Sequence, residues 1–188
     1  MINPTSSNPM PIALPQRIRT LLKTVWDRRK QPSASSKSTA TIVDTKSTLL
    51  TLQEATLPDR NDVVCLEVEG TLNRHTYLRL VETACTYHSL GRHALLLDLR
   101  QTTEIELSGF FALLSIARLY SGQPLLDPES GWDGLRQAME EITPELAERV
   151  KLVAPSPTVA KRLASSTMGQ FWELYPDREH ALAALLPK

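Results

Sequence analysis

The sequence has few of the features that mark a secreted, membrane-spanning or disulfide-bonded protein. No apolar run approaches the roughly 20 residues that a membrane-spanning helix needs, and the amino terminus lacks the apolar stretch of a secretory signal. Two cysteines occur in 188 residues, Cys65 and Cys85, and both stand among apolar residues. This pattern predicts buried, reduced thiols in a reducing compartment such as the cytoplasm. We therefore expect a protein that is soluble or bound peripherally at a membrane.

Motifs for metal binding, cofactor binding and catalysis are also missing. The four histidines show no metal-ligand spacing, and neither H-E-x-x-H nor C-x-x-C occurs. No phosphate-binding loop and no G-x-G-x-x-G dinucleotide motif is present. Ser108 stands in the sequence E-L-S-G-F, which is not the G-x-S-x-G nucleophile elbow of a serine hydrolase. The sequence therefore predicts no metal, no cofactor and no enzymatic activity.

The basic residues are concentrated near the amino terminus. Residues 1–43 hold seven basic residues and one acidic residue, for a net charge of +6, whereas the remainder holds 14 basic and 20 acidic residues, for a net charge of −6. Residues 1–47 are rich in Ser, Thr and Pro, which predicts a disordered tail. Within this tail, apolar residues recur at helical spacing between basic ones, which predicts an amphipathic helix over residues 17–30.

Several roles are open for this basic helix. A basic amphipathic helix can lie on an anionic membrane surface or dock on a protein partner. It can equally be a solvated leader, and the abundance of Arg and Ser with few acidic residues also fits an organelle transit peptide. We predict no nucleic-acid partner, because the rest of the chain is acidic and only the tail could supply the positive charge.

Residues 48–187 alternate between strand and helix patterns. Ala94–Leu99 is almost wholly apolar, as expected of a central strand that is covered on both faces. Gly70 is expected to end the second strand, and the stretch 123–149 is expected to be a helical insertion. The pattern predicts one α/β domain with a mostly parallel sheet of four to five strands and packed helices. Strands are predicted near residues 49–55, 63–69, 94–99, 150–154 and 171–175, and helices are predicted to begin near Tyr77, Ser108, Pro157 and Asp177.

One succession of residues is similar to a known family. Asp98-Leu99 ends the buried strand, and Glu106-Leu107-Ser108-Gly109-Phe110 opens the following helix. Together with Val68-Glu69-Gly70-Thr71-Leu72, which matches a strand ending in Gly-x-Leu, this succession resembles the STAS domain, the family of bacterial anti-sigma factor antagonists and sulfate-transporter tails. The resemblance extends from Leu49 to Leu186. It implies a STAS-like fold and a non-catalytic module of signalling and transcription regulation, which binds a protein partner such as a kinase-like anti-sigma factor or a related regulator.

The resemblance also implies a binding site at the start of that helix. In regulatory members, a partner kinase phosphorylates the hydroxyl residue just before the Gly, and Ser108 is the residue of this sequence in that position. Glu106 stands in place of the family's loop Asp and Leu107 in place of its first Ser, while Asn73 stands where a second carboxylate is often found. The resemblance still implies partner binding, while these replacements count against regulation by a kinase. The implied partner-binding residues are Glu106, Leu107, Ser108, Gly109, Phe110 and Asn73, with Ser108 as the candidate phosphoacceptor.

Simpler roles remain open for the same residues. Ser108 can be an ordinary helix N-cap, and Asn73 can be the N-cap of the preceding helix. Asp98 can either orient the Ser108 loop or cap loop amides, and Glu106 can be no more than a solvated side chain. For the whole protein, the alternative function is a membrane-associated adaptor that is held by the basic helix 17–30 and carries an unmodified Ser108.

Overall fold

The computed structural model describes residues 50–55, 57, 60–169 and 171–185. The tail predicted over residues 1–47, with its helix at 17–30, lies outside the described residues. The described residues form six strands: β1 (Leu50–Ala55), β2 (Val63–Leu72), β3 (Ala94–Asp98), β4 (Thr102–Ile105), β5 (Val150–Val153) and β6 (Leu174–Tyr175). They also form five α-helices: α1 (Tyr77–Ser89), α2 (Leu107–Tyr120), α3 (Gly131–Glu140), α4 (Pro157–Ala164) and α5 (Arg178–Ala183). Short 3-10 turns lie at Pro128–Ser130, Pro144–Ala147 and Thr167–Gly169.

The strands form one mixed sheet in the order β1-β2-β3-β5-β6. β1 runs antiparallel to β2, and the other pairings in this order are parallel. β4 pairs in parallel with the carboxyl-terminal part of β2, past the point where the pairing with β3 ends. The predicted architecture, a mostly parallel sheet with packed helices, is confirmed. The predicted number of four to five strands is wrong, because β4 is not among the strands that the sequence pattern indicates.

Two predicted strand boundaries differ from the structure. Gly70 does not end β2 but lies inside it, with φ of 106°, at the register shift within the pairing of β2 with β4. This positive φ is a conformation that glycine adopts readily, which explains the residue without a strand end. The last strand is also shorter than predicted, because only Leu174 and Tyr175 pair with β5.

β3 lies at the centre of the core, and all five of its residues are buried. Ala94 and Leu96 belong to a cluster with Cys65 of β2 and Ala181 of α5, so this face of the sheet is covered by the last helix. Because side chains alternate along a strand, Leu95 and Leu97 point to the opposite face. The prediction of a central strand that is covered on both faces is therefore confirmed.

Both cysteines lie in the core as free thiols, Cys65 in β2 and Cys85 in α1. Burial raises the pKa of each thiol to about 11. Both thiols therefore stay protonated near neutral pH, where a thiol is a poor nucleophile. Within the described ranges, no helix has the length and apolar character to cross a membrane. No group of His, Cys, Asp or Glu in the same part of the chain is arranged to hold a metal ion.

Candidate functional site

The β4–α2 junction, residues 105–109, is held close to the end of β2. The Glu106 N–H donates to the Leu72 carbonyl oxygen at 2.8 Å. Gly109, in the first turn of α2, lies directly against two of its neighbours. A Cβ atom at this position would be 2.6 Å from Ile105 Cγ1 and 3.0 Å from the Leu72 carbonyl oxygen. The close approach of α2 to the strand ends thus depends on a residue without a side chain.

Ser108 does not cap the helix that it helps to open. α2 begins at Leu107, and its N-cap is Glu106, whose backbone is extended and whose side chain makes no capping hydrogen bond within the described part of the chain. The Ser108 Oγ is buried and has no hydrogen-bond partner among the described residues. The predicted N-cap role of Ser108 is therefore wrong, because the start at Leu107 places Ser108 inside the first turn.

The junction presents two of the predicted partner-binding residues to solvent. Glu106 is exposed, and Leu107 keeps 39 % of its surface accessible. Gly109 is buried, and Phe110 belongs to the core. Gly109 and Phe110 therefore lie beneath this surface, and their contact with a partner stays a prediction.

Asn73 lies beside the junction, directly after Leu72. The residue is buried, and its Oδ1 accepts a hydrogen bond from the His75 N–H at 2.9 Å. Its carbonyl oxygen accepts from the Thr76 N–H at 3.1 Å, and Thr76 is the N-cap of α1. The predicted N-cap role of Asn73 is wrong, because the residue shapes the turn that precedes the helix. This turn carries two exposed residues, Arg74 and His75, next to the junction.

Two aromatic side chains pack between the helices that begin at this surface. The rings of Tyr77 in α1 and Phe111 in α2 meet edge to face, with their centroids 5.9 Å apart. Both residues are half-buried. Sequence reasoning missed this contact. The signal in the sequence was the position of each aromatic residue near the start of a predicted helix, and that position does not show that the two rings meet.

Asp98, at the carboxyl end of β3, belongs to an ion cluster rather than to the Ser108 loop. Its Oδ2 lies 2.7 Å from Arg100 Nη2 and 2.7 Å from Arg178 Nε. Its Oδ1 accepts a hydrogen bond from the Arg100 backbone N–H at 3.2 Å, so it caps a loop amide, which is one of the two predicted roles. Arg178 also pairs with Glu67 of β2, so the cluster ties the start of α5 to two strands.

The charge state of Asp98 follows from these contacts. Burial by itself would raise the pKa of Asp98, but the hydrogen bonds from Arg100 and Arg178 outweigh it and hold the pKa below its ordinary value. The carboxylate is therefore ionised and paired at neutral pH. Sequence reasoning missed this cluster because Arg178 stands 80 residues after Asp98, and no local pattern links the two.

Comparison with known proteins gives matches of structure only. No family model matches the sequence, and no curated protein sequence matches it. A putative anti-sigma factor antagonist from Thermotoga maritima is 14% identical and superposes with a TM-score of 0.50, covering 71% of this chain and 93% of that chain. An anti-sigma factor antagonist from Mycobacterium paratuberculosis is 17% identical, with a TM-score of 0.48 and coverage of 73% and 95%. The anti-sigma factor antagonist SpoIIAA in its unphosphorylated form is 19% identical, with a TM-score of 0.45 and coverage of 70% and 93%.

At these identities the likeness concerns the fold. The superposition on the Thermotoga maritima protein covers nearly all of that chain. The described domain is therefore STAS-like, as the sequence predicts.

Proposed function

We propose that the STAS-like domain is a non-catalytic regulatory module that binds a protein partner through its junction surface. This surface consists of Glu106 and Leu107 at the start of α2 and of Arg74 and His75 in the adjacent turn. The protein from Thermotoga maritima that shares the fold is described as a putative anti-sigma factor antagonist. The partner class that we assign is accordingly a kinase-like anti-sigma factor or a related regulator.

The observation that carries this proposal is the exposure of Leu107. In the described part of the chain, three large apolar side chains are exposed, those of Leu90, Leu107 and Leu174. Leu107 is the first residue of α2. The close packing of Gly109 and the hydrogen bond between Glu106 and Leu72 hold this end of the helix against the sheet. Burying a leucine side chain against a partner stabilises a complex by about 1.5–3 kcal/mol. The charged residues around it favour a partner of complementary charge.

The surroundings of Ser108 support binding rather than catalysis. A nucleophilic serine needs a base within hydrogen-bond reach of its hydroxyl group. The Ser108 Oγ is buried and makes no hydrogen bond to any described residue. The hydroxyl group therefore has no described base to activate it.

Phosphorylation of Ser108 is the finer part of the proposal. A phosphoryl group would add about −1.5 to −2 charges beside Leu107 and the exposed Glu106, and would oppose burial of the junction surface. The free amides at the start of α2 would stabilise the phosphate. Because the Oγ is buried, a kinase would first have to open the first turn of α2. We expect modification to be slow unless the kinase itself opens this turn.

The experiment is affinity capture from the native cell extract with four forms of the full-length protein, followed by mass spectrometry. The forms are wild type, Leu107→Ser, Ser108→Glu and the matched control Leu90→Ser, whose leucine is 45% exposed after the end of α1. We expect one partner that wild type and Leu90→Ser retain, that Leu107→Ser loses and that Ser108→Glu binds more weakly. Equal capture by wild type and Leu107→Ser would exclude the junction surface as the binding site of the partner. If neither Ser108→Glu nor phosphorylation changes the amount of partner that is captured, Ser108 does not regulate partner binding.

The second candidate function is a membrane-associated adaptor. The observation that favours it is the net charge of +6 in residues 1–43. Each Lys or Arg near an anionic membrane surface contributes about 1 kcal/mol to binding, so the tail carries enough charge to hold the protein there. Binding to anionic vesicles that survives deletion of residues 1–45 would argue against this function.

A further inference from the structure

A groove of about 1280 Å³ lies at the end of the sheet opposite to the junction surface. It is lined by Ala94, the first residue of β3, and by Arg149, which directly precedes β5. Because β3 and β5 are parallel, their first residues lie at the end of the sheet that is remote from the β4–α2 junction. None of the predicted partner-binding residues lines the groove.

A lysine stands in an otherwise apolar row of the sheet at this groove. Lys151 pairs in register with Leu96, and Leu96 pairs with Cys65, so the three side chains lie in one row on the face that α5 covers. Leu96 and Cys65 are fully buried, and Lys151 is 7% exposed. An ammonium group at such a position costs free energy unless an anion offsets the lost hydration.

In the described part of the chain, the carboxylate next to Lys151 is that of Glu173, and it offsets the lost hydration only in part. Lys151 Nζ lies 3.2 Å from Glu173 Oε2, but the Glu173 side chain is 68% exposed. The same Oε2 also accepts a hydrogen bond from the Tyr175 hydroxyl, and water around so exposed a carboxylate screens its attraction for the ammonium group. Lys151 Nζ also lies 5.8 Å from the centre of the Tyr175 ring, and both Glu173 and Tyr175 line the groove.

The walls of the groove carry both apolar and charged side chains. Met139, Ile142, Phe171 and Leu185 line it, and each is only half-buried. Arg149 lies at the groove two residues before Lys151, is exposed, and has no ion-pair partner in the part of the chain that the structure describes. Arg60, Asp62 and Glu148 line the groove as well, and Arg60 pairs with Asp62. Apolar surface beside convergent polar groups is the usual feature of a small-molecule site.

We propose that this groove binds a small amphiphilic carboxylate. The apolar body of the ligand covers the half-buried side chains of the walls, and its carboxylate binds Lys151 Nζ, with Arg149 as the second cation. The competing explanation is a lysine that packs its aliphatic stem and extends only its ammonium group toward water. The two explanations differ in one measurable respect, because only the first makes ligand binding depend on the negative charge of the ligand.

The test measures binding of dansylamino-undecanoate, a fluorescent fatty acid, and of its uncharged methyl ester to the full-length protein at neutral pH. A hydrogen bond to a charged group corresponds to an affinity difference of about tenfold or more. We expect wild type to bind the acid at least that much more tightly than the ester. Lys151→Met should reduce this preference to about twofold or less, whereas the matched control Lys161→Met, at an exposed lysine of α4 outside the groove, should retain it.

A second measurement on the wild type keeps the proposal open to refutation if Lys151→Met folds poorly. Addition of the acid should shift the backbone amide NMR signals of Ala94, Lys151 and Tyr175 and leave that of Leu107 in place. Equal affinity for acid and ester, an unchanged preference in Lys151→Met, or shifts that cluster around Leu107 would each overturn the proposal.

Discussion

The substitution Asp98→Asn should destabilise the domain strongly, because it breaks a buried ion cluster. Asp98 is 3% exposed and contacts Arg178, whose side chain is 27% exposed, and Arg100, whose side chain is 58% exposed. A hydrogen bond to a charged group contributes about 1.5–3 kcal/mol, whereas an exposed ion pair contributes about 0–1 kcal/mol. Asparagine keeps one acceptor oxygen but turns an amide donor toward the guanidinium groups. We expect the free energy of unfolding to fall by about 2–4 kcal/mol.

The dependence of this loss on pH provides a second check. The hydrogen bonds from Arg100 and Arg178 hold the pKa of Asp98 below its ordinary value of 3.8. The folded protein therefore keeps the carboxylate ionised to a lower pH than the unfolded chain does. The contribution of Asp98 is complete above this ordinary value, which is also the pKa in the unfolded chain, and is lost as the pH falls through the folded pKa. The stability gap between wild type and Asp98→Asn should accordingly begin to narrow below about pH 4 and close only once the pH is below the folded pKa of Asp98.

The assay is urea unfolding followed by circular dichroism at several pH values between neutral and acidic. The matched control is Asp62→Asn, because Asp62 pairs with Arg60 at 2.9 Å while its side chain is 54% exposed. We expect this control to lose no more than about 1 kcal/mol. The reasoning fails if Asp98→Asn is as mild as the control, or if its stability gap is the same at neutral and acidic pH.

Three further predictions concern Ser108, Gly109 and the tail. Ser108→Ala should raise the free energy of unfolding by about 1 kcal/mol, because it removes a buried hydroxyl group without a described partner. If Ser108 were an N-cap, the same substitution would lower the free energy of unfolding. Gly109→Ala should lower the midpoint of thermal unfolding, because the alanine Cβ would lie 2.6 Å from Ile105 Cγ1. Alanine favours helices over glycine, so an unchanged or higher midpoint would contradict this close packing. If the second candidate function holds, deletion of residues 1–45 should abolish co-sedimentation with anionic vesicles, and neutral vesicles should bind neither form.

The elements that sequence analysis predicted well are those with a regular local pattern. β3 was expected at 94–99 and spans Ala94–Asp98, because its apolar run is typical of a strand that is covered on both faces. β4 was missed because its two buried residues, Thr102 and Ile105, are three positions apart. A strand normally buries every second residue, and the register shift of the pairing between β2 and β4 breaks this alternation.

The start of the helix that carries the candidate site was predicted to within one residue, but the role of Ser108 in it was not. The helix start was predicted near Ser108, and a shift to Leu107 turns Ser108 from a cap into a residue of the first turn with a buried hydroxyl group. Such a shift lies within the usual uncertainty of a helix boundary. The pairing of Asp98 with Arg178 joins distant parts of the chain, and only the assembled sheet and α5 bring the two together.

The most direct test of the central claim is the dissociation constant of the captured partner for wild type and for Leu107→Ser. Removing one leucine from a buried contact should cost about 2 kcal/mol, which corresponds to a roughly 30-fold weaker complex. Leu90→Ser should bind like wild type, and all three forms should unfold at similar temperatures because both leucines are exposed. A dissociation constant for Leu107→Ser within about twofold of wild type would contradict the proposed interface at the start of α2.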